Sequence, residues 1–310
     1  MSIVQQFKLF TGTSHPSLAS GIAKELNIKL SQSKSEVFPD GEIGIQILDN
    51  VRGQDVFVVQ SAAGDPNHYL MELLIFVDAL KRASARSITA VMPYFPYSRQ
   101  DRKGYRRVPI TAKLVANMLE KAGVTRLLTM DLHADQIQGF FDIPVDNLYS
   151  QKIFASRLSG VKETVVVAPD LGSVKLAKAY AHHFDCQIAI IDKKRICPNE
   201  VSARALIGDV RGKHVLIVDD MCSTGKTLIE AAKLVKELGA KGVTATVAHF
   251  LSDPKCFQSS PIDKLLITDT IHHDLGKLTP NIEVVSVANL FGLAIRSMNE
   301  SRSISTLLKP

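Results

Sequence analysis

Residues 215–228, VLIVDDMCSTGKTL, contain the clearest structural pattern in this chain. Its apolar start predicts a buried strand, which runs into two carboxylates, Asp219 and Asp220. After a turn of small residues, TLIEAAKLVKELGA (227–240) spaces its apolar residues as an amphipathic helix does. A strand, a polar turn and a helix in this order predict one unit of a parallel α/β sheet.

The same alternation of strand and helix runs along the whole chain. A second helix is predicted at HYLMELLIFVDALKRA (68–83). The other predicted strands are VFVVQS (56–61), SITAVM (87–92), RLLTM (126–130), TVVVA (164–168) and QIAIID (187–192). The predicted fold class is therefore α/β, with mainly parallel sheets flanked by helices.

An internal repeat divides the chain into two halves. VRGQDVFVVQ from Val51 and VRGKHVLIVD from Val210 share Val, Arg, Gly, Val and Val at equal positions. Each is followed by a helix and then by a similar strand, ARSITAVMPYF in the first half and AKGVTATVAHF in the second. These matching flanks favour duplication of one domain over chance.

The two copies differ where the chemistry would lie. Asp219-Asp220 in the second half correspond to Gln60-Ser61 in the first. Duplicated domains with different sites suggest two ligands that share a cleft.

The end of the opening stretch, Gly-Lys-Thr, resembles the end of a nucleotide P-loop. In that motif, GxxxxGK[ST], backbone amides hold the phosphates. Counted back from Gly225, the position of the first glycine is occupied by Asp220. A carboxylate there would repel the phosphates, so the P-loop interpretation fails.

A sugar phosphate fits the same stretch better. Backbone N–H groups of residues 223–227, with the hydroxyls of Ser223, Thr224 and Thr227, form a nest for one phosphate monoester at a helix N-terminus. The two carboxylates upstream are placed to accept hydrogen bonds from adjacent hydroxyls. Vicinal hydroxyls and a phosphate on one molecule indicate a pentose phosphate. A capped helix after a buried strand, with merely exposed acids, is the alternative for such a stretch taken alone.

Composition agrees with a protein that binds a small phosphorylated molecule. The chain has 310 residues, a net charge of +6 and 45% hydrophobic residues, which is typical of one large or two ordinary soluble domains. Nucleic acid is the alternative ligand for a basic chain, but no stacking motif, zinc finger or helix-turn-helix signal accompanies the charge. The four cysteines form no CxxC pair, and neither a signal peptide nor a membrane span is expected. We therefore expect a cytoplasmic protein that binds neither nucleic acid nor membranes.

Seven further segments occur in the order found in one enzyme family. They are FPDGE (38–42), MELLIFVDALKRASA (71–85), PYSRQDRK (96–103), RVPITAKLVANML (107–119), DLHADQIQGFFDIPVDNLY (131–149), APDLGS (168–173) and IDKKR (191–195). With VLIVDDMCSTGKT they resemble class I ribose-phosphate diphosphokinase, also called phosphoribosyl pyrophosphate synthetase. The resemblance covers nearly the whole chain.

The resemblance implies two tandem domains of the type I phosphoribosyltransferase fold. Residues 1–148, completed by a C-terminal helix at 288–310, would form the ATP-side domain, and residues 149–287 the ribose 5-phosphate domain. The implied reaction moves the β,γ-diphosphoryl group of MgATP to ribose 5-phosphate, supplying nucleotide, histidine, tryptophan and NAD biosynthesis. The implied assembly is a homohexamer of dimers.

Two other functions compete with this one. A non-catalytic, synthetase-associated regulatory subunit would keep the fold, but such relatives typically carry an insertion and altered catalytic residues. A nucleobase phosphoribosyltransferase would leave the second domain and the SRQDRK segment unexplained.

The resemblance also assigns site residues. It gives ATP binding to Phe38, Asp40, Gly41, Glu42, Arg99 and Gln100. It gives ribose 5-phosphate binding to Arg195, Asp219, Asp220, Ser223, Thr224, Gly225, Lys226 and Thr227. The strand-acid-glycine pattern of residues 168–173 predicts a second anion nest, and the resemblance makes Asp170, Leu171, Gly172 and Ser173 the diphosphate loop.

Catalysis and metal binding are assigned in the same way. By resemblance Lys193 and Arg195 are catalytic, and His133 and Asp170 hold Mg²⁺. Because Mg²⁺ prefers oxygen ligands, chemistry alone favours Asp170 or Asp131. This chain has Ser223 where the family usually has aspartate, and Lys226 and Ser173 where it usually has glycine.

Overall fold

The structure, a computed structural model, describes residues 7–158, 164–194 and 203–308. It divides into two compact units. The first unit is formed by the chain up to Tyr149, with Thr270–His272 and the segment from Ser286 onward. The second unit is formed by Ser150–Asp269 and His273–Val285.

The first unit contains a parallel sheet and a hairpin. In chain order its elements are β1 (Phe7–Thr11), α1 (Pro16–Leu26), β2 (Ser33–Val37), β3 (Ile43–Ile47), β4 (Asp55–Val59), α2 (Pro66–Arg82), β5 (Ser87–Met92), α3 (Thr111–Ala122), β6 (Arg126–Met130) and β7 (Val145–Leu148). The sheet has the order β1-β4-β5-β6-β7 with every neighbouring pair parallel, while β2 and β3 pair antiparallel.

The second unit contains a larger sheet. Its elements are α4 (Gln151–Ala155), β8 (Thr164–Ala168), α5 (Val174–Phe184), β9 (Gln187–Lys194), β10 (Ala203–Ile207), β11 (His214–Cys222), α6 (Lys226–Glu237), β12 (Gly242–Phe250), β13 (Lys264–Thr268) and β14 (Ile282–Val285). The strand order is β10-β9-β8-β11-β12-β13-β14. Only the β9–β10 pair is antiparallel among the described strands of this sheet.

The predicted repeat falls on equivalent strands. The order β1-β4-β5-β6-β7 in the first unit corresponds to β8-β11-β12-β13-β14 in the second. The decapeptides of the repeat contain β4 and the start of β11, and the flanking similarity falls on β5 and β12. The predicted α/β class with two domains of one design is therefore confirmed.

Local sequence explains the helices. In α2, Asp65 caps the first turn by accepting a hydrogen bond from the N–H of His68, and Pro66 takes the first position, where no N–H is needed. Apolar residues at helical spacing, Leu70, Leu73 and Val77, turn the buried face of α2 toward the sheet. No helix in the described part of the chain is long and apolar enough to cross a membrane.

The C-terminal helix α7 (Ala288–Asn299) belongs to the first unit, where it packs on α1. Arg296 donates to the carbonyl of Glu25 at 2.6 Å, and Gly292 lies so close that an added Cβ would be 3.0 Å from the Cβ of Glu25. The helix predicted for 288–310 is shorter than expected. It ends at Asn299, and Ser301 adopts a left-handed φ of 53° that a continuing helix does not allow.

Candidate active site

The carboxyl ends of β8 and β11 bring the predicted acids and the predicted diphosphate loop to one edge of the second sheet. The two strands pair in parallel as far as Ile217 and Val167, after which β8 ends at Ala168. Strand β11 continues to Cys222, pairing with β12. Asp219 and Asp220 therefore lie inside a strand, whereas the sequence predicted a turn directly after them.

The start of α6 has the geometry that the predicted phosphate nest requires. The helix begins at Lys226, so the N–H groups of its first turn have no partner within the helix. Ser223, Thr224 and Lys226 are exposed, and Thr227 is half-buried. Binding of a phosphate at these residues stays a prediction.

Gly225 is required by both conformation and space. Its φ is +77°, in the region that side chains rarely adopt. An added Cβ would lie 3.0 Å from two ring carbons of Phe257 and 3.3 Å from the Oγ of Ser252. The ring of Phe257, at the end of a 3₁₀ turn (Pro254–Phe257), thus packs against the loop at Gly225. No pattern in the sequence predicts this contact.

Three carboxylates influence each other at this edge. Burial raises the pKa of Asp219 well above its ordinary value, and the neighbouring charges of Asp220 and Asp170 raise it further. A hydrogen bond from the Ser173 hydroxyl to Oδ1 of Asp219, 2.8 Å long, acts in the opposite direction. Asp219 therefore holds a proton more readily than an exposed aspartate would.

The predicted diphosphate loop is closed by its own acid. Oδ1 of Asp170 accepts hydrogen bonds from the N–H groups of Gly172 at 2.9 Å and Ser173 at 3.2 Å. Leu171, at the tip of this turn, is 67% exposed. The loop is therefore a compact turn, directly before α5, in which Leu171 and Gly172 are exposed to solvent.

The segment 38–42 is the turn of the β2–β3 hairpin. The N–H of Phe38 donates to the carbonyl of Glu42 at 2.8 Å, and Gly41 has a φ of +91°. Phe38, Asp40, Gly41 and Glu42 are all exposed, and the Phe38 ring lies against Gly44. The turn is ordered by backbone hydrogen bonds, and its apolar ring is accessible to a ligand.

The basic segment that contains Arg99 and Gln100 is an exposed loop between β5 and α3. Gln100 is held at both ends, since its N–H donates to the carbonyl of Tyr97 at 2.8 Å and its side-chain oxygen accepts from the hydroxyl of Thr111. The loop is thus anchored to the start of α3, and Arg99 is exposed beside the anchor.

His133 follows β6 in the first unit and is exposed. Just before it, Asp131 is buried with a left-handed φ of 39°, and its N–H donates to the carbonyl of Leu148 at 2.9 Å. Burial, together with the charge of Asp135, raises the pKa of Tyr149 to about 12. Asp170 belongs to the second unit, and its pairing with His133 at a metal stays a prediction.

Lys193 lies in β9, where its Cα is paired with Arg204 of β10. The sequence placed it on a turn after IAIID, so the strand is longer than predicted. Arg195, the other predicted catalytic residue, lies outside the described residues.

Mg²⁺ fits the chemistry of the described residues. Mg²⁺ ordinarily binds through one or two carboxylates, with water and substrate phosphates completing its shell. The half-buried acids Asp170, Asp219 and Asp220 supply oxygen donors at the edge where the phosphates are predicted. No group of three or more potential ligands arranged to hold a metal occurs in 7–158, 164–194 and 203–308. A magnesium site that substrate phosphates complete needs fewer than three protein ligands.

Cys222, the last residue of β11, is not a reactive thiol. It is buried, and that burial raises its pKa to about 12. A thiol that stays protonated at neutral pH acts as a small apolar residue. We therefore assign it a packing role beneath the loop.

Comparison with known proteins agrees with this geometry. A model for the phosphoribosyl transferase domain matches residues 143–270, and one for the N-terminal domain of ribose phosphate pyrophosphokinase matches residues 7–123. The chain is therefore a protein of the phosphoribosyltransferase fold with two such domains. Its relatives define the class further.

A ribose-phosphate pyrophosphokinase from Nitrosomonas europaea is 48% identical over 307 residues, covering 96% of this chain and 97% of the relative. One from Campylobacter jejuni is 45% identical, covering 97% and 98%. A crystal structure of phosphoribosylpyrophosphate synthetase from Mycobacterium smegmatis, 39% identical, matches with a TM-score of 0.91 over 96% of this chain and 99% of that one. The chain belongs to the ribose-phosphate pyrophosphokinase family, which confirms the resemblance. This is a family of enzymes that transfer diphosphate, so the regulatory-subunit alternative is not favoured.

Proposed function

We propose that this chain transfers the β,γ-diphosphoryl group of MgATP to the 1-hydroxyl of ribose 5-phosphate, giving AMP and phosphoribosyl diphosphate. The observation that carries the proposal is the edge of β11, where two interacting carboxylates precede a helix N-terminus. This arrangement matches a sugar phosphate, with hydroxyls at the acids and the phosphate at the first turn of α6.

The sugar would be held by residues of the second unit. Asp219 and Asp220 accept hydrogen bonds from ring hydroxyls, and backbone N–H groups at residues 223–227 hold the 5-phosphate. Lys226 would add positive charge beside the phosphate. Its side chain is 79% exposed, and its ion pair with Glu230 is weak because the two charged groups are 3.9 Å apart. It is available to move to a bound phosphate.

The nucleotide would be held by residues of the first unit. The exposed ring of Phe38 would stack on adenine, while Asp40, Gly41 and Glu42 meet its polar groups or the ribose. Arg99 binds the triphosphate with its fork of N–H donors, and Gln100 lies beside it. The turn Asp170–Ser173 would bind the transferred diphosphate, and for this the N–H groups of Gly172 and Ser173 would have to exchange their hydrogen bonds to Asp170 for bonds to phosphate oxygens.

Transfer of the diphosphoryl group develops negative charge on the bridging and leaving oxygens. Lys193 and Arg195 would stabilise this charge more in the transition state than in the ground state. Asp170 and His133 would hold Mg²⁺, which would supply positive charge to the phosphates of ATP.

The assembly and location are further parts of the proposal. We infer a homohexamer of dimers in which the β2–β3 hairpin reaches the nucleotide site of a neighbouring subunit. The exposure of Val37 (58%) and Phe38 (44%) at its tip supports this role, because such apolar side chains favour contact with a partner. We place the protein in the cytoplasm. Light scattering of the purified protein tests the assembly.

The test of the function is AMP formation by purified protein. With MgATP and ribose 5-phosphate we expect AMP and phosphoribosyl diphosphate in equal amounts, and no AMP without the sugar phosphate. Background AMP formation across a range of phosphate and Mg²⁺ concentrations would refute the proposal in favour of a regulatory subunit.

A further inference from the structure

Ser173 occupies the N-cap of α5 without capping the helix. A serine at this position ordinarily accepts a hydrogen bond from an N–H of the first turn. Here its side chain makes no such bond. Asp170 instead accepts from the N–H of Ser173 itself, at 3.2 Å. The hydroxyl of Ser173 is therefore not explained by the stability of its own helix.

That hydroxyl connects the diphosphate loop to the ribose-phosphate loop. Its oxygen lies 2.8 Å from Oδ1 of Asp219 and 3.4 Å from Oδ1 of Asp170. A serine has one proton to donate, and only the shorter distance falls in the normal range for an O–H···O bond. Ser173 thus donates to Asp219, a residue 46 positions away on the neighbouring strand.

The hydrogen bond fixes the orientation of the Asp219 carboxyl group. Oδ1 of Asp219 also accepts from the N–H of Asp220, at 3.1 Å. Rotation of the carboxyl group would therefore break two hydrogen bonds. Ser173 is 6% exposed, so its side chain has little surface with which to meet a ligand directly.

We propose that Ser173 is a positioning residue for the sugar substrate, which holds the Asp219 carboxyl in the orientation that receives a ribose hydroxyl. This inference rests on the proposed function, because it assigns the ring hydroxyls of a pentose phosphate to the acids of β11. By the resemblance the family usually has glycine, which has no hydroxyl, at this position, so the hydroxyl departs from the family's usual pattern.

The experiment compares three variants of the full-length protein. Ser173→Ala removes the hydroxyl and keeps the Cβ, while Ser173→Thr keeps the hydroxyl. Ser156→Ala is the control, because the Ser156 hydroxyl bonds only locally, to the carbonyl of Ile153, and is exposed. The measurements are KM for each substrate, kcat, the dissociation constant of ribose 5-phosphate by calorimetry, and Tm.

For Ser173→Ala we expect about a tenfold weaker affinity for ribose 5-phosphate, because the Asp219 carboxyl group loses one of the two hydrogen bonds that hold its orientation. KM for ATP should change less than about twofold. Ser173→Thr should keep most of the affinity, and Ser156→Ala all of it. In an Asp219→Ala background, removal of the Ser173 hydroxyl should have almost no further effect, because its partner is gone.

Three results would overturn the inference. They are an unchanged ribose 5-phosphate affinity in Ser173→Ala, equal losses for both substrates, or an undiminished loss in the Asp219→Ala background. These results are distinct from failure of the proposed function, which would appear as absence of AMP formation in the unsubstituted protein.

Discussion

Replacing Gly225 by alanine separates the two reasons for glycine in the proposed ribose-phosphate loop. The φ of +77° alone costs a side chain about 1–2 kcal/mol. The new Cβ would also lie 3.0 Å from the ring of Phe257, and such overpacking typically costs about 1–3 kcal/mol. We therefore expect Gly225→Ala to lower the free energy of unfolding by about 2–5 kcal/mol.

Gly212→Ala is the matched control within the same unit. Gly212 has a nearly equal φ of +72°, but an added Cβ would meet nothing within 4 Å. Its substitution should therefore cost only the backbone part. The difference between the variants, about 1–3 kcal/mol, measures the contact with Phe257 and corresponds to roughly 2–4 °C in Tm for each kcal/mol.

Thermal unfolding of both variants provides the assay, with KM for ribose 5-phosphate as a second readout. Gly225→Ala should also raise this KM, because displacement of the loop moves the phosphate nest, while Gly212→Ala should leave it unchanged. Phe257→Leu should reduce the excess loss when combined with Gly225→Ala. Equal losses of stability at Gly225 and Gly212 would show that the ring does not support the loop.

Three further substitutions test other parts of the molecule. Arg99→Ala should raise KM for ATP about tenfold or more with little change for ribose 5-phosphate, since its guanidinium is assigned to the triphosphate; equal losses for both substrates would contradict this. Lys193→Ala should lower kcat about a hundredfold or more with small changes in KM, while Lys194→Ala should be nearly silent; similar kinetics for both would remove Lys193 from catalysis. Glu72→Gln should lower the free energy of unfolding in urea by about 2–3 kcal/mol, because both oxygens of the fully buried Glu72 accept hydrogen bonds and the amide of glutamine would turn a donor toward these donors. Glu36→Gln, on an exposed strand, should leave the free energy of unfolding almost unchanged.

Much of the fold could be predicted because its signals are local. Apolar runs such as QIAIID and helical spacing as in α2 depend on neighbours within one element, and the structure has these elements where they were predicted. Element ends were less predictable. Strand β11 extends to Cys222 because β12 pairs with it as far as that residue. The local sequence DDMC gives no sign of this pairing.

The unpredicted parts of the site depend on contacts between distant residues. The Ser173–Asp219 hydrogen bond requires β8 and β11 to be neighbours with their carboxyl ends at one edge. The support of Gly225 by Phe257 requires the chain to return beneath the loop after β12. Motif spacing predicts which loops carry chemistry, but which side chains support those loops depends on the strand order.

The duplicated halves show how one position in a fold changes its role. Asp219-Asp220 on β11 correspond to Gln60-Ser61 after β4. Gln60 is fully buried, and its amide donates to Glu72 at 2.6 Å. The Glu72 carboxylate also accepts hydrogen bonds from the N–H and hydroxyl of Thr13 and from the hydroxyl of Ser35. The polar groups at this position of the first unit are therefore hydrogen-bonded to one another.

The second unit leaves two mutually repelling acids at the same place. Burial and proximity raise the pKa of Asp219, so this arrangement is costly without a ligand. A ligand that brings a hydroxyl donor or a metal ion to these carboxylates therefore gains binding energy there. The position is stable in the first unit because its polar groups are satisfied internally, and it is suited to binding in the second because two carboxylates there repel each other.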